Sequence, residues 1–166
     1  MKLEELIDFT ADQLVNRIQS SNALAIFATR RAKFEGWLKV ELIDILISNG
    51  LKAVPEEGLI DVSFDNTAIE LKTINTNYRD GIAEIKGRPI TKNIKSVIND
   101  IQKHRQNKFP NKFVIFIVFP LGDRHTNWSN HLKKIEHELG EVCQKRVFEF
   151  KNAGVKGVLY YGKVND

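Results

Sequence analysis

The sequence is poor in the residues that cross-link or interrupt small proteins. Its 166 residues include one cysteine, Cys143, and four prolines. A single cysteine cannot form an internal disulfide, and a chain of this length can bury most of its apolar surface without disulfides or a structural metal. We therefore expect one domain over residues 1–166, with residues 1–33 forming an N-terminal helical segment packed on the core.

Long apolar runs are also absent. No segment approaches the roughly 18 consecutive apolar residues of a membrane-spanning helix. Residues 1–5 include two acids and lack the apolar run of a signal peptide. Together with the single cysteine, these absences predict a reducing, cytoplasmic location and no membrane partner.

Several patterns that carry chemistry are missing. The chain has no Gly-x-x-x-x-Gly-Lys-Ser/Thr phosphate-binding loop, no Gly-x-Ser-x-Gly nucleophile elbow and no Gly-x-Gly-x-x-Gly fingerprint. His125, His131 and His137 are six residues apart, so no two of them have the i, i+4 spacing of a helical zinc pair. These absences argue against a nucleotide cofactor, esterase chemistry and zinc.

Positive charge is present but unevenly distributed. The formal net charge is +4, yet residues 86–112 contain eight lysines and arginines and a single acid, Asp100. Such a segment is either a solvated helix face or a surface that binds a polyanion.

Residues 61–72 have the pattern of a β-hairpin. Apolar, largely β-favouring residues flank a turn-rich segment at 65–67, whose residue types tolerate the left-handed conformations of a tight turn. A two-residue loop at this turn pairs Phe64 with Thr67.

The register of this hairpin brings charged side chains together. Counting outward from the turn places Asp61 opposite Glu70, and Lys72 shares a face with Glu70 because side chains alternate along a strand. Two carboxylates facing each other are destabilising without a cation. Oxygen ligands of this kind suit Mg²⁺, and a lysine beside them can orient or help to deprotonate a metal-bound water. The alternative is an edge hairpin with a solvated Glu-Lys pair.

Asp61 followed by Glu70-Leu71-Lys72 resembles the PD-(D/E)xK motif of restriction-endonuclease-like nucleases, with Ile60 in the place of the motif's proline. The resemblance implies an α/β fold with an αβββαβ core, in which a mixed central sheet is flanked by helices. It implies that Asp61, Glu70 and Leu71 bind Mg²⁺, with Mn²⁺ as a substitute, and that Lys72 lies beside the activated water. The implied activity is endonucleolytic hydrolysis of DNA, in restriction or repair.

The resemblance also implies a glutamate from the helix that precedes the hairpin. Apolar spacing predicts that helix over residues 34–47. Glu35 and Glu41 both border its apolar face. We expect Glu35 to complete the site because it continues a stripe of leucines, while Glu41 can pair with Lys39 or Arg31. The alternative is that both glutamates reach solvent.

Apolar periodicity predicts the remaining elements and their order. Residues 111–119 contain a continuous apolar run that ends at a proline, the pattern of a strand buried on both faces. We therefore expect this strand to be central in the sheet. The predicted elements are helices at 3–17 (broken near Thr10), 23–27, 90–101 and 128–139, strands at 51–54, 111–119 (central), 147–150 and 155–161, a basic patch at 30–33 and a turn at 55–58.

Contacts with nucleic acid are expected from two consecutive segments. The irregular connection at 73–89 leaves the hairpin directly, and the helix after it has a lysine-rich outer face. The candidate contact residues are Tyr78, Arg79, Lys86 and Arg88 in the connection and Lys92, Lys95 and Lys103 on the helix. The expected partner is DNA, bound by a homodimer because one chain offers one triad. A catalytically silent nuclease-fold protein that binds nucleic acid or a protein partner, and an RNA-directed nuclease, remain as alternatives.

Overall fold

The computed structural model describes residues 1–78, 81–84, 89–122 and 125–166, which form five helices and six strands. The helices are α1 (Leu3–Ser20), α2 (Asn22–Thr29), α3 (Glu35–Ser48), α4 (Ile90–Arg105) and α5 (Thr126–Leu139). The strands are β1 (Val54–Glu57), β2 (Ile60–Phe64), β3 (Thr67–Asn75), β4 (Asn111–Phe119), β5 (Gln144–Glu149) and β6 (Lys156–Lys163). None of the helices in these ranges is long and apolar enough to cross a bilayer.

The six strands form one mixed sheet in the order β1-β2-β3-β4-β6-β5. Neighbouring strands are antiparallel except β3 and β4, which are parallel. A parallel pair needs a crossover connection, and α4 lies within the one between β3 and β4. The expected α/β architecture with a mixed central sheet and flanking helices is confirmed.

Strand β4 is central and buried on both faces, as its apolar run predicts. Ile115 and Ile117 pack into the cluster formed with α1, α2 and α3. Phe116 and Val118, which alternate with them, pack into the cluster formed with α4 and α5. Helices therefore cover both faces of the sheet, with α3 on one side of β3 and α4 on the other.

The predicted hairpin register is also confirmed. Phe64 pairs with Thr67 across the turn, and Val62 pairs with Ile69 further along. Asp65 adopts the left-handed conformation, with φ of 47°, that a two-residue loop requires. Because the register continues outward from these pairs, Asp61 and Glu70 lie at the end of the paired segment.

The prediction of a turn at residues 55–58 was wrong. Strand β1 includes Pro55, which pairs with Val62, and the turn lies at Gly58 and Leu59. Proline lacks the N–H that an interior strand must donate, but β1 is at the edge of the sheet, where this loss is tolerated.

The predicted break near Thr10 was also wrong. Helix α1 is continuous, and Thr10 is fully buried on the same face as Ile7 and Leu14. Threonine therefore takes a core position here and does not begin a second helix.

Helix α1 also contacts strands β5 and β6. Asp12 accepts a hydrogen bond of 2.6 Å from Arg146 Nε, and Asp8 accepts one from the Tyr161 hydroxyl.

In the predicted basic patch at residues 30–33, Arg30 and Lys33 are exposed, whereas Arg31 is buried. Its side chain is 1% exposed, and its guanidinium donates hydrogen bonds to the carbonyl oxygens of Thr76, Tyr78 and Glu84. Arg31 thereby ties the chain that follows β3 to the connection between α2 and α3.

Candidate functional site

The two edges of β3 are paired to different extents. On one side, β4 pairs with all nine residues of β3, from Thr67 to Asn75. On the other side, β2 pairs with only the first three, the last pair being Val62 with Ile69. On the β2 side, the remainder of β3 pairs with no strand in the described part of the chain. We call this stretch the open edge, and the candidate site lies along it.

Two carboxylates take the place of the missing strand at this open edge. Asp61 Oδ2 accepts a hydrogen bond of 2.9 Å from the Leu71 backbone N–H. Glu35 Oε1, from the first turn of α3, accepts one of 3.0 Å from the Thr73 backbone N–H. Backbone amides therefore hold both carboxylates in fixed orientations. Leu71 contributes its N–H to the site through this contact.

Glu70 lies beside these groups and has no ion-pair partner among the described side chains. Burial raises the pKa of Glu70 from its usual 4.5 to about 8, and the carboxylates of Asp61 and Asp100 add to the effect. Lys72 lowers this pKa, but not enough to offset burial. Because no described side chain forms a hydrogen bond with Glu70, burial and the neighbouring carboxylates determine the direction of its pKa shift.

Lys72 is held on the α4 side of the sheet. Its Nζ lies 2.5 Å from Asp100 Oδ2, and about a fifth of each side chain is exposed. Burial disfavours the charged lysine, but the close contact with Asp100 and the nearby Glu35 outweigh this and raise the pKa of Lys72. Lys72 is therefore an ammonium, suited to orienting an oxygen or stabilising negative charge.

Lys39 is a second cation in the site. From the second turn of α3, its Nζ lies 2.9 Å from Asp61 Oδ1 and 2.8 Å from Glu56 Oε1. Glu56 adopts a left-handed backbone conformation with φ of 54°, which is strained for a residue with a side chain. Asp61 is thus held from two directions, by Lys39 and by the Leu71 amide.

The two helix glutamates have different surroundings. Glu35 lies at the open edge of β3, whereas Glu41 Oε2 lies 2.5 Å from Arg17 Nη1 on α1. The expectation that Glu41 pairs with Lys39 or Arg31 was wrong, because Lys39 reaches the hairpin and Arg31 is buried among carbonyl groups. Of the two glutamates, only Glu35 lies beside the hairpin residues Asp61, Glu70 and Lys72.

A cleft adjoins the site on the α4 side. Its volume is about 660 Å³, and its walls are the β1–β2 turn and the C-terminal half of α4. Glu70, Asp100 and Lys103 contribute to its lining, and Lys103 is exposed. A polyanion lying in this cleft would meet the carboxylates and a lysine of α4 together.

The other predicted nucleic-acid contacts lie elsewhere. Lys95 lines a separate pocket of about 200 Å³ between α4 and α5. Lys92 is exposed, and Tyr78 stacks on His125 with ring centroids 4.4 Å apart. The predictions at Arg79, Lys86 and Arg88 lie outside the described residues.

Sequence reasoning did not identify Asp100 and Lys39 as site residues. Asp100 had one recognisable signal, since it is the single acid among eight basic residues in the segment 86–112. Lys39 follows Glu35 by four residues, the spacing that puts two side chains on one helix face. Their partners, however, are on distant strands, so neither contact could be read from local pattern.

The donor set suits a hard divalent cation, although it is not assembled as a complete metal site. In the described ranges 1–78, 81–84, 89–122 and 125–166, no three His, Cys, Asp or Glu side chains are grouped so as to hold a metal ion. The oxygens of Asp61 and Glu70 are nonetheless the ligand type that Mg²⁺ prefers. Burial, and after it the nearby carboxylates of Asp61 and Asp100, raises the pKa of Glu70. A cation bound here would favour the charged carboxylate.

Fold and site together define a mixed α/β protein with a row of carboxylates and a lysine at the open edge of a central strand. Comparison of the chain with protein-family models, with curated proteins and with solved structures found no match in any of the three. Inferences about function therefore depend on the geometry of this chain's own residues.

Proposed function

We propose that this chain is a metal-dependent endonuclease of the PD-(D/E)xK class that hydrolyses phosphodiester bonds in DNA. The observation that carries this proposal is the row formed by Glu35, Asp61, Glu70 and Lys72 where β2 and β3 separate. The element order of one helix, three strands, one helix and one strand, from α3 to β4, agrees with the αβββαβ core of that class.

Asp61 and Glu70 are the residues that would hold Mg²⁺ or Mn²⁺, with Glu35 as the third carboxylate. When bound, the ion would supply positive charge to the phosphate and acidity to a coordinated water. The Leu71 and Thr73 amides orient Asp61 and Glu35. Lys72, as an ammonium, would orient the attacking oxygen and stabilise the charge that develops on the phosphate.

A nucleic acid is favoured as substrate because the site opens into a cleft beside the lysine-rich helix. Lys103 lines that cleft together with Glu70 and Asp100. A divalent cation bound by these carboxylates beside basic side chains would match the phosphate backbone, which is recognised through its charge.

A cleavage assay tests the proposal directly. Supercoiled plasmid, single-stranded DNA and RNA are each incubated with the protein in Mg²⁺, in Mn²⁺ and in EDTA. We expect cleavage of DNA with either ion and none in EDTA. Intact DNA under every condition would contradict the proposal, and cleavage of RNA alone would reassign the substrate.

A homodimer is part of the proposal because one chain presents one row of catalytic groups. Cleavage of both strands needs two such rows or two successive nicks. Sedimentation with a short duplex in Ca²⁺ should show two chains per DNA. A complex with one chain that only nicks plasmid would contradict this part.

A second candidate is a nuclease-fold protein that binds nucleic acid without cutting it. In its favour, Asp61 and Lys72 are already neutralised by Lys39 and Asp100. Such a protein would bind DNA equally well in EDTA and in Mg²⁺. The metal-dependent enzyme should bind more tightly when a divalent ion is present.

A further inference from the structure

Lys72 has several acidic neighbours but pairs with only one of them. Glu35, Glu70 and Asp100 all lie close enough to affect its charge. Its Nζ is nevertheless 2.5 Å from Asp100, the one residue in the described part of the chain that forms an ion pair with it. Asp100 therefore sets where this ammonium is placed.

This ion pair is held more firmly than an ordinary surface pair. Lys72 and Asp100 are 21% and 20% exposed, and the neighbouring residues Val97 and Ile101 anchor α4 to the sheet. Exposed ion pairs contribute little because two mobile side chains must be ordered. Here the backbone of a helix packed on the sheet and the backbone of an interior strand have already fixed the approach of both groups.

The geometry shows what Lys72 would do without Asp100. Glu70 and Lys72 are two residues apart on β3, so their side chains lie on one face of the strand. Neither Glu35 nor Glu70 has a cationic partner among the described side chains, but Glu35 comes from α3 and already accepts a hydrogen bond from the Thr73 amide. Glu70 accepts none from the described residues, which makes it the acid to which a released ammonium would turn. A Lys72–Glu70 pair would neutralise the carboxylate that the proposed function assigns to the metal.

We infer that Asp100 is a positioning residue, which holds Lys72 away from Glu70 and so leaves Glu70 free to bind a divalent cation. The inference rests on the proposed function for the role of Glu70. Asp100 acts through Lys72 and is not itself a ligand. This inference gives a role to Asp100, the one acid in the sequence of helix α4.

Calorimetric titration with Mn²⁺, in the absence of nucleic acid, measures this role without relying on activity. Asp100→Asn removes the charge and keeps the side-chain shape. We expect Mn²⁺ affinity to fall about 10- to 100-fold, as is typical when a residue that orients a metal site is lost. Glu138→Gln is the matched control, since Glu138 also forms a half-buried helix ion pair, with Arg105 at 2.7 Å. That variant should bind Mn²⁺ as the wild type does.

A double variant separates positioning from direct ligation. In a Lys72→Met background no ammonium can turn to Glu70, so adding Asp100→Asn should change Mn²⁺ affinity far less than it does in the wild type. Such non-additivity identifies residues that act through each other. An equal loss in both backgrounds would make Asp100 a ligand and overturn the inference, as would an unchanged affinity in Asp100→Asn.

The metal-free crystal structure of Asp100→Asn provides a readout that is independent of metal binding. Lys72 Nζ should lie within ion-pair distance of Glu70. An ammonium that remains beside residue 100 would overturn the inference. Should the wild type bind no divalent ion, the proposed function would fall, and this structure would still decide how Lys72 is positioned.

Discussion

The two edges of β3 differ in the groups that satisfy the backbone. Toward β4, every residue of the strand takes part in a parallel ladder. Toward β2, pairing stops after three residues, and the side chains of Asp61 and Glu35 accept the next available N–H groups. One edge is completed by main chain and the other by carboxylates.

The two edges of β3 therefore have different roles. The edge toward β4 is completed by backbone hydrogen bonds between neighbouring strands, needs no charged side chain and contributes to stability. The open edge must bring acids to the backbone, and those acids then surround Glu70, whose pKa rises to about 8. Where the sheet is interrupted, two backbone N–H groups that have no neighbouring strand each donate to one carboxylate and fix its orientation. The interruption therefore brings oriented carboxylates close together.

The largest effect is expected from removing the carboxylates of the open edge. Asp61→Ala and Glu70→Ala should each abolish metal-dependent cleavage. Their stabilities should differ, because Asp61→Ala leaves the Leu71 amide unpaired, at a cost of about 1–3 kcal/mol, whereas Glu70→Ala removes a carboxyl that is unfavourably buried. Urea unfolding in EDTA, alongside the plasmid assay, measures both. Cleavage by either variant at the wild-type rate would remove that residue from the site.

The next effect distinguishes the two glutamates of α3. Glu35→Gln should lower the cleavage rate at saturating DNA by about 10- to 100-fold, because an acid that touches the open edge loses its charge. Glu41→Gln, whose side chain contacts Arg17, should have nearly the wild-type rate. The reverse ranking would move the third carboxylate to Glu41, and full activity in both would restrict the site to the hairpin.

A smaller effect concerns the pH dependence of stability in the metal-free protein. The folded-state pKa of Glu70 is about 8 and its usual value is 4.5, so the folded state binds this proton more tightly than the unfolded chain does. Stability should therefore fall as pH rises through this interval, by an amount on the order of a few kcal/mol. Urea unfolding in EDTA should show a shallower slope for Glu70→Gln. Parallel curves for the two proteins would refute this source of pH dependence.

The smallest effect compares two lysines of α4. Lys103→Glu places an acid in the cleft beside the open edge, while Lys95→Glu places it toward α5. Both variants change the net charge equally, so nonspecific attraction falls equally. Fluorescence anisotropy with an oligonucleotide in Ca²⁺ should show the larger loss of affinity, and the larger drop in salt dependence, for Lys103→Glu. Equal losses would mean that DNA does not follow the cleft.

Local sequence pattern was sufficient for the hairpin and its register. The turn residues and the alternation of apolar side chains place Phe64 opposite Thr67, and the positions of Asp61 and Glu70 follow by counting. These relations span few residues and depend on backbone geometry alone.

Contacts between distant elements could not be predicted in the same way. Asp100 meets Lys72, and Lys39 meets Asp61, only because helices pack on opposite faces of the sheet with particular rotations. Pro55 was misassigned for a related reason, since a proline is compatible with a strand only at a sheet edge and strand order is a property of the whole fold.

The contacts between α1 and the last two strands affect how the chain is made. Asp8 is hydrogen-bonded to Tyr161, which lies 153 positions further along the chain, and Asp12 is hydrogen-bonded to Arg146, which lies 134 positions further along. Domains fold as units while synthesis proceeds from the N-terminus. Helix α1 leaves the ribosome before β5 and β6 do, so its packing is complete only after both strands have been made. Until then, part of its apolar face is available to other molecules.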